Sequence, residues 1–344
     1  MSSGIVECVP NISEGRDIEK INRIVDSARI DGVKILGVEP DPDYNRTVIT
    51  FAGVVDAVEQ AAINLIAKAI EEIDMSIHSG EHPRMGCVDV CPFIPISNAT
   101  MDDCIQIAKR VAKTIADLSV PVFLYGFATE HEERKLLSRL RKGEYEGLKD
   151  RFTGNTDIHT DATRLPDLGE KQWTEKAQKS GGITIGARDI LLAYNVNIDD
   201  PDPKVAQQIG SLVRSSGRLI KSSNGQRKFR TVGLLKHVQG MGVPLESHNI
   251  SQVSMNLQNY NVTNLHHAFD TIKSLCQNLG KETKGSELVG LVPLKAMLDA
   301  GLWYAGEGLS DEEYISTAIE CLGLNSIGEF NPKERIIELA LKEE

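Results

Sequence analysis

Several features are scarce in this chain, and each scarcity excludes something. Aromatic residues make up 5% of its 344 positions, with only two tryptophans. That is too few for the stacking platforms with which nucleic-acid-binding sheets hold bases. No apolar run approaches the eighteen or so residues that a membrane helix requires. The opening MSSGIVECVP has no basic region followed by an apolar core, so no signal peptide is expected. There are six cysteines, at 8, 87, 91, 104, 276 and 321. Only Cys87 and Cys91 are closely spaced, and four residues apart in a strand they point the same way. Buried free thiols are expected rather than a zinc site, and with them a reducing, cytoplasmic compartment. A net charge of −11 argues against general nucleic-acid binding. No Walker motif is present, and GGITIGAR (181–188) does not have the glycine spacing of a dinucleotide fingerprint.

What is present is ordinary for a soluble globular protein: 41% hydrophobic and 25% charged residues. The length favours two units over one core. Charge is unevenly spread. From Lys204 to Leu245 there is no acid, but Lys204, Arg214, Arg218, Lys221, Arg227, Lys228, Arg230 and Lys236 are basic. The stretch reads either as a solvated face or as a positive funnel for an anionic ligand.

Ile5–Ile12 is β-branched and ends at Ser13-Glu14-Gly15, which predicts a strand and a turn. Asp17 is placed to cap a helix carrying Ile18, Ile21, Ile24, Val25 and Ala28 at helical spacing. Strands are expected at Val33–Val38 and Asn45–Ala52, a helix at Val54–Ile73 and a strand at Cys87–Ile96. That order is βαββαβ, the ferredoxin-like arrangement. A helix at Met101–Leu118 and a strand at Val120–Tyr125 extend it. Glu130–Lys179 is charged and irregular, and reads either as a ligand-facing junction between the units or as a plain linker. The order then repeats: strand Ile190–Ile198, helix Pro203–Ser215, strands Thr231–Val238 and Ile250–Leu257, helix Asn264–Leu279, strand Glu287–Val292. Three helices close the chain. The expected fold is therefore α+β: two ferredoxin-like subdomains side by side with a ligand cleft between them, plus C-terminal helices. The expected boundaries are 1–180, 181–300 and 301–344.

One stretch carries chemistry, Gly80-Glu81-His82-Pro83-Arg84-Met85-Gly86, feeding the apolar Cys87–Pro95. Glycines at both ends permit sharp turns, and Pro83 stiffens the bend after the histidine. An imidazole and a guanidinium two residues apart at a strand mouth suit a general acid/base beside an anion clamp.

GEHPRMG-x-VDVCPFIPI resembles the signature of the formiminotransferase family. The match continues in order through IVECVPNISEGRD (5–17), NRTVITFAG (45–53), PVFLYG (121–126), GARDILLAYNVN (186–197), SQVSMNLQNYNVT (251–263), GSELVGLVPLKAMLDA (285–300) and NPKERIIEL (331–339). The resemblance implies transfer of a formimino group from N-formimino-L-glutamate to N5 of tetrahydrofolate in histidine degradation, a one-carbon transfer with tetrahydrofolate as co-substrate and no metal. The alternatives are formyl transfer from N-formylglutamate, or a folate-binding protein without turnover. His82 stands at the family's catalytic position, with Glu39 or Asp41 as carboxylate partner. Turn chemistry beside Pro40 and Pro42 is the competing role for those acids. Arg46, Arg84 and Arg188 are candidates for glutamate's carboxylates. Folate contacts map onto Gly169, Trp173, Lys179, Ser180, Gly181 and Gly182, with the indole ring placed to stack on a pterin or aminobenzoate. A homodimer is expected by family analogy. Because the chain ends at LALKEE, a separate downstream cyclodeaminase is expected as well.

Overall fold

The computed structural model describes residues 4–80, 83–160, 163–221 and 228–342. It is a mixed α/β protein that divides into two compact units, Met1–Asp189 and Ile190–Glu344. No helix among the described residues is long and apolar enough to cross a membrane.

In the first unit the strands are β1 (Ile5–Cys8), β2 (Asn11–Ile12), β3 (Val33–Asp41), β4 (Arg46–Val54), β5 (Val88–Ser97), β6 (Pro121–Gly126), β7 (Leu168–Gly169) and β8 (Ile183–Ala187). β1 and β2 are successive pieces of one line lying antiparallel between β4 and β5. The expected single strand 5–12 is broken at Pro10, which has no N–H to give to a ladder. β3 pairs with β4 at one side. On the other side β5 and β6 both run parallel to β8, and β7 pairs with β6.

The helices are α1 (Ile18–Asp26), α2 (Val55–Glu72), α3 (Met101–Ala116), and the short α4 (Leu137–Leu140), α5 (Leu148–Thr153) and α6 (Glu175–Ser180). Asp17 caps α1 by accepting from the Lys20 N–H at 3.0 Å, as its position predicts. Ile21, Ile24 and Val25 are buried, whereas Ile18 is exposed. α2 buries Val58, Ala61, Ala62, Leu65, Ile66 and Ala69. α3 opens with a capping box between Thr100 and Asp103 and buries Cys104, Ile107, Val111 and Ile115. Each large aliphatic side chain fully buried in this layer contributes about 1.5–3 kcal/mol.

The GGITIGAR segment overturns an expectation. It does not open the second unit: β8 is a fully buried strand inside the first unit's sheet, so the boundary falls after Asp189 rather than after 180. Sequence order concealed this because β8 joins parallel neighbours distant in the chain.

The second unit contains β9 (Leu192–Ile198), α7 (Lys204–Val213), a two-stranded ribbon of β10 (Leu219–Lys221) and β11 (Lys228–Arg230), β12 (Val238–Leu245), β13 (Ile250–Leu257), α8 (Leu265–Asn278) and β14 (Thr283–Val289). Four of these strands form an antiparallel sheet in the order β12-β13-β9-β14. The strand expected at Thr231–Val238 lies seven residues later. Gly240, Gly242 and Pro244 hid it, and for Gly242 and Pro244 the structure gives the physical reason. A Cβ on Gly242 would sit 2.0 Å from the Gln207 nitrogen of α7, so only glycine lets helix and strand approach. Pro244 is tolerated because β12 is the sheet's edge. α9 (Leu294–Ala305), α10 (Asp311–Leu322), α11 (Pro332–Arg335) and α12 (Ile337–Ala340) complete the unit, four helices where three were expected.

Candidate functional site

The motif stretches of the first unit converge on one place, the loop leading into β5. Ser13 donates its hydroxyl to the Gly86 carbonyl at 2.8 Å, and its N–H to the Cys87 carbonyl at 2.9 Å. Asn45 accepts from the Gly15 N–H at 3.0 Å and donates to the Ser79 carbonyl at 2.8 Å. Gly181 bridges Gly86, and the Gly182 N–H reaches the Met85 carbonyl at 2.8 Å. The stretches 11–17, 45–47, 78–80, 83–87 and 180–182 are therefore one packed constellation. Glu81 and His82 lie outside the described residues.

Two ion pairs fix the loop where it enters β5. Arg84, 5% exposed, donates to both carboxylate oxygens of Glu146 at 2.9 and 2.7 Å. Burial alone would raise the Glu146 carboxyl, but the hydrogen bonds and charge of Arg84 outweigh it and hold the group below its ordinary range. One turn on, Asp89 is buried, accepts from the Met85 N–H at 3.0 Å and pairs with Arg141. Burial dominates at Asp89 and raises its pKa, with Arg141 pulling the other way. The Tyr145 N–H reaches the Arg84 carbonyl at 2.8 Å. The irregular segment after Glu130 is thus neither a free linker nor a separate junction. Its residues 141–146 brace the motif loop.

Arg84 also donates through Nε to Nδ1 of His78 at 3.3 Å, and His78 Nε2 lies 3.0 Å from the Asn45 carbonyl. A carbonyl only accepts, so Nε2 carries the proton and Nδ1 is the acceptor for the guanidinium. The ring is neutral, and burial followed by the charge of Arg84 holds its pKa below the ordinary imidazole value. Both ring nitrogens are committed, which makes His78 a strut of the loop rather than a proton carrier.

The remaining sequence-derived candidates separate. Glu39 is exposed on β3, opposite Val48. Asp41 accepts from the Asp43 and Tyr44 N–H groups at 3.0 Å each, which is turn chemistry. Arg46 donates to Asn11 at 3.2 Å, while its buried Nε has no partner among the described residues. Arg188 follows β8 in the first unit and donates to the neighbouring Asp189 carbonyl. Lys179 is exposed and reaches the Glu71 carbonyl at 3.2 Å. The Ser180 hydroxyl turns to the Gly181 carbonyl, and Gly169 pairs with Pro121.

The glycines at 181 and 182 permit a close approach, as their type suggested, but what approaches is the chain's own loop. A Cβ on Gly181 would lie 2.3 Å from the Met85 carbonyl oxygen. Trp173 is half-buried, its ring 6.0 Å from Tyr145 and 5.7 Å from Phe152. This apolar wall backs the loop. His78, Asn45, Asp89, Arg141 and Glu146 were missed by sequence reasoning. Only Asn45, a buried asparagine at φ +49° in the N-R-T motif, left a usable signal.

Comparison with known proteins gives a consistent result. The family model described as "Formiminotransferase domain, N-terminal subdomain" matches residues 5–188, and the model "Formiminotransferase domain" matches 193–342. The chain is 41% identical over 346 residues to a formimidoyltransferase-cyclodeaminase of Dictyostelium discoideum, covering 99% of this chain and 61% of that protein. It is 38% identical over 303 residues to a glutamate formimidoyltransferase of Streptococcus pyogenes serotype M1, covering 87% of this chain and 93% of that one. A glutamate formimidoyltransferase of Thermoplasma acidophilum is 37% identical, with 87% and 92% covered. The chain thus spans about three fifths of the length of the bifunctional relatives it matches.

Proposed function

The chain belongs to the formiminotransferase family, and from that premise we propose that it is a glutamate formimidoyltransferase. The reaction moves the formimino group from N-formimino-L-glutamate to N5 of tetrahydrofolate, giving 5-formiminotetrahydrofolate and L-glutamate. The observation that carries this reading is the co-location of the family's motif stretches around one braced loop, in a chain matched from residue 5 to 342.

Chemically, N5 attacks the amidine carbon and a tetrahedral centre bearing three nitrogens forms. The bond to glutamate's nitrogen then breaks, and that nitrogen leaves as the amine. One proton must travel from N5 to the leaving nitrogen, and an imidazole titrating near working pH suits the task. We assign it to His82. Arg84 is already engaged by Glu146, so we assign it to holding the loop that carries His82. Arg46 and Arg188 are the proposed contacts for glutamate's carboxylates. Glu39 is the proposed carboxylate neighbour, since Asp41 is spent on its turn. Trp173, with Gly169 and the 179–182 segment, is the proposed folate side.

We propose that each unit is ferredoxin-like: the first follows the βαββαβ order, enlarged by β6, β7 and β8, and the second follows it once the β10–β11 ribbon inserted after α7 is set aside. A cytoplasmic homodimer, followed in the reaction sequence by a cyclodeaminase, completes the reading.

The test is incubation with tetrahydrofolate and either N-formiminoglutamate or N-formylglutamate, read as absorbance of the methenyl product after acid. Product from the formimino donor is expected. Product from the formyl donor alone, or folate binding without product, would replace this reading. His82→Ala should lower turnover roughly 10²–10⁴-fold with folate affinity kept. An unchanged rate would remove His82 from the mechanism.

A further inference from the structure

The base of the motif loop is closed by a contact that depends on the protonation of one ring. His78 and Arg84 stand six residues apart and meet through Arg84 Nε and His78 Nδ1 at 3.3 Å. The other ring nitrogen, Nε2, lies 3.0 Å from the Asn45 carbonyl. Asn45 holds Ser79 through its side chain at 2.8 Å, and a Cβ on Gly80 would lie 2.3 Å from the Tyr44 carbonyl oxygen. Residues 78–80 are thus packed against 44–45, and the His78 ring joins that contact to Arg84.

The junction needs a neutral ring with its proton on Nε2. A second proton has no place but Nδ1. There it would face the Nε–H of a guanidinium that keeps its charge, so a donor would meet a donor and a cation a cation. Arg84 is buried and drawn the other way, by Glu146 at 2.7 Å and Glu144 at 3.6 Å, so it is the ring that must let go. Glu146 stays ionised while the ring titrates, because Arg84 holds its carboxyl below the ordinary range. The other charges acting on the ring oppose one another: Glu14 favours the imidazolium and Arg16 disfavours it. Glu14 is already engaged by Lys20 at 2.7 Å and by the Arg16 and Asp17 N–H groups, and Arg16 by the Pro42 carbonyl. The contact is therefore closed at neutral pH and opens on acidification.

We propose that His78 is a positioning residue for the transfer reaction: its neutral ring latches the motif loop to Arg84, and protonation of the ring releases that latch. His78 touches no substrate in this role and carries no proton between the reactants. The proposal rests on the formimidoyltransferase reading for its kinetic consequence, whereas the latch itself can be read without substrate.

The structural test is NMR on the full chain, with nitrogen-15 in histidine and arginine and no ligand added. From about pH 8 to about pH 5 the His78 ring should pass from the Nε2–H tautomer to the imidazolium. The Arg84 Nε–H signal should shift along the same titration and exchange faster with water. An Arg84 signal that ignores the His78 titration overturns the proposal. The kinetic test follows kcat/KM over the same range. His78→Asn leaves a side-chain oxygen that accepts from Arg84 and does not titrate, whereas His78→Leu leaves no acceptor. The wild type should show two ionisations on the acid side, from His82 and His78, and His78→Asn one. The wild type should then lose about tenfold more than His78→Asn for each pH unit below both pKa values. Asp89, which also titrates on acidification, is present in every variant and cancels in the comparison. His78→Leu should turn over more slowly than His78→Asn at about pH 8, with KM for tetrahydrofolate nearly unmoved. Identical acid limbs in the wild type and His78→Asn overturn the proposal, and that comparison serves if His78→Leu fails to fold. If Arg84 follows the His78 titration yet no formimino group is transferred, the latch stands and the reaction reading falls.

Discussion

Arg84 and Glu146 form a two-pronged ion pair, at 2.9 and 2.7 Å, between the base of the motif loop and a segment 62 residues later in the chain. The guanidinium is buried and the carboxylate is largely exposed. The pair is therefore worth less than a fully buried one, but its geometry is bidentate, and Arg84 also supports His78. Arg84→Ala should cost about 1–2 kcal/mol of stability, measured by urea denaturation, because His78 Nδ1 loses its donor as well. In kinetics, Glu146→Gln should act in the same direction as Arg84→Ala and more weakly. If Arg84 instead held glutamate directly, Arg84→Ala would raise the donor KM and Glu146→Gln would leave it unmoved.

How much of this was legible beforehand depends on where the information sits in the chain. Local periodicity placed α1, α2 and α3, because burial repeats every three to four residues within each and the caps are adjacent. The motif GEHPRMG marked the loop. Most of its supports were illegible, since Glu146 and Arg141 are ordinary residue types whose roles arise only when segments about 50 to 60 residues apart meet. β8 and β12 failed for the same reason. The glycines that break their local pattern are demanded by neighbours distant in sequence, Met85 and Phe123 for Gly181 and Gly182, and α7 for Gly242.

That steric demand can be tested. Gly181 has φ +66°, and a Cβ there would lie 2.3 Å from the Met85 oxygen and 2.5 Å from Gly86 Cα. Both are backbone atoms of the motif loop and cannot step aside. Gly181→Ala should cost more than about 2 kcal/mol and lower activity with it. Gly290, at φ +78° with nothing within 4 Å of the added carbon, isolates the conformational part. Gly290→Ala should cost only about 1–2 kcal/mol. Equal denaturation midpoints for the two variants would show that the loop contact at Gly181 is unimportant.

Stability should also fall on acidification, through a histidine far from the motif loop. His266 is buried on α8, its ring stacked 5.1 Å from Trp303 of α9. Burial, then the charge of neighbouring His267, brings its pKa down to about 4 against the pull of Asp270 and Asp299. A folded value below the unfolded one means that the unfolded chain binds the proton first. The stabilisation is complete above the unfolded imidazole value of about 6.5 and is lost as pH falls toward 4. The loss assigned to His266 is on the order of 2–3 kcal/mol by pH 4. His266→Phe keeps an aromatic ring against Trp303 and removes the titration. Its urea midpoint should decline less than the wild type's between pH 7 and pH 4, and parallel declines would exclude His266 as the source.

The thiols make a final prediction, one that separates the two units. Cys8, Cys87, Cys91, Cys104 and Cys276 are buried and only Cys321, on α10, is exposed. Burial pushes the Cys87 and Cys104 thiols up to about 12, and Cys8 is raised by burial and by its contact with Cys91, whose sulfur lies 3.5 Å away. Thiolate, not thiol, is the nucleophile, so these groups are doubly protected, by access and by protonation. Cys321 is itself raised, by partial burial and then by Glu320 and Asp270, so it should react with a disulfide reagent more slowly than a free thiol. Native protein should therefore release one equivalent of reporter thiolate, slowly, and the remaining five only in denaturant. Cys321→Ser should abolish the native phase without altering transferase activity. A second native equivalent would mean that the packing over a buried thiol opens on the timescale of the assay, either between the first unit's sheet and its helices or around Cys276 of α8.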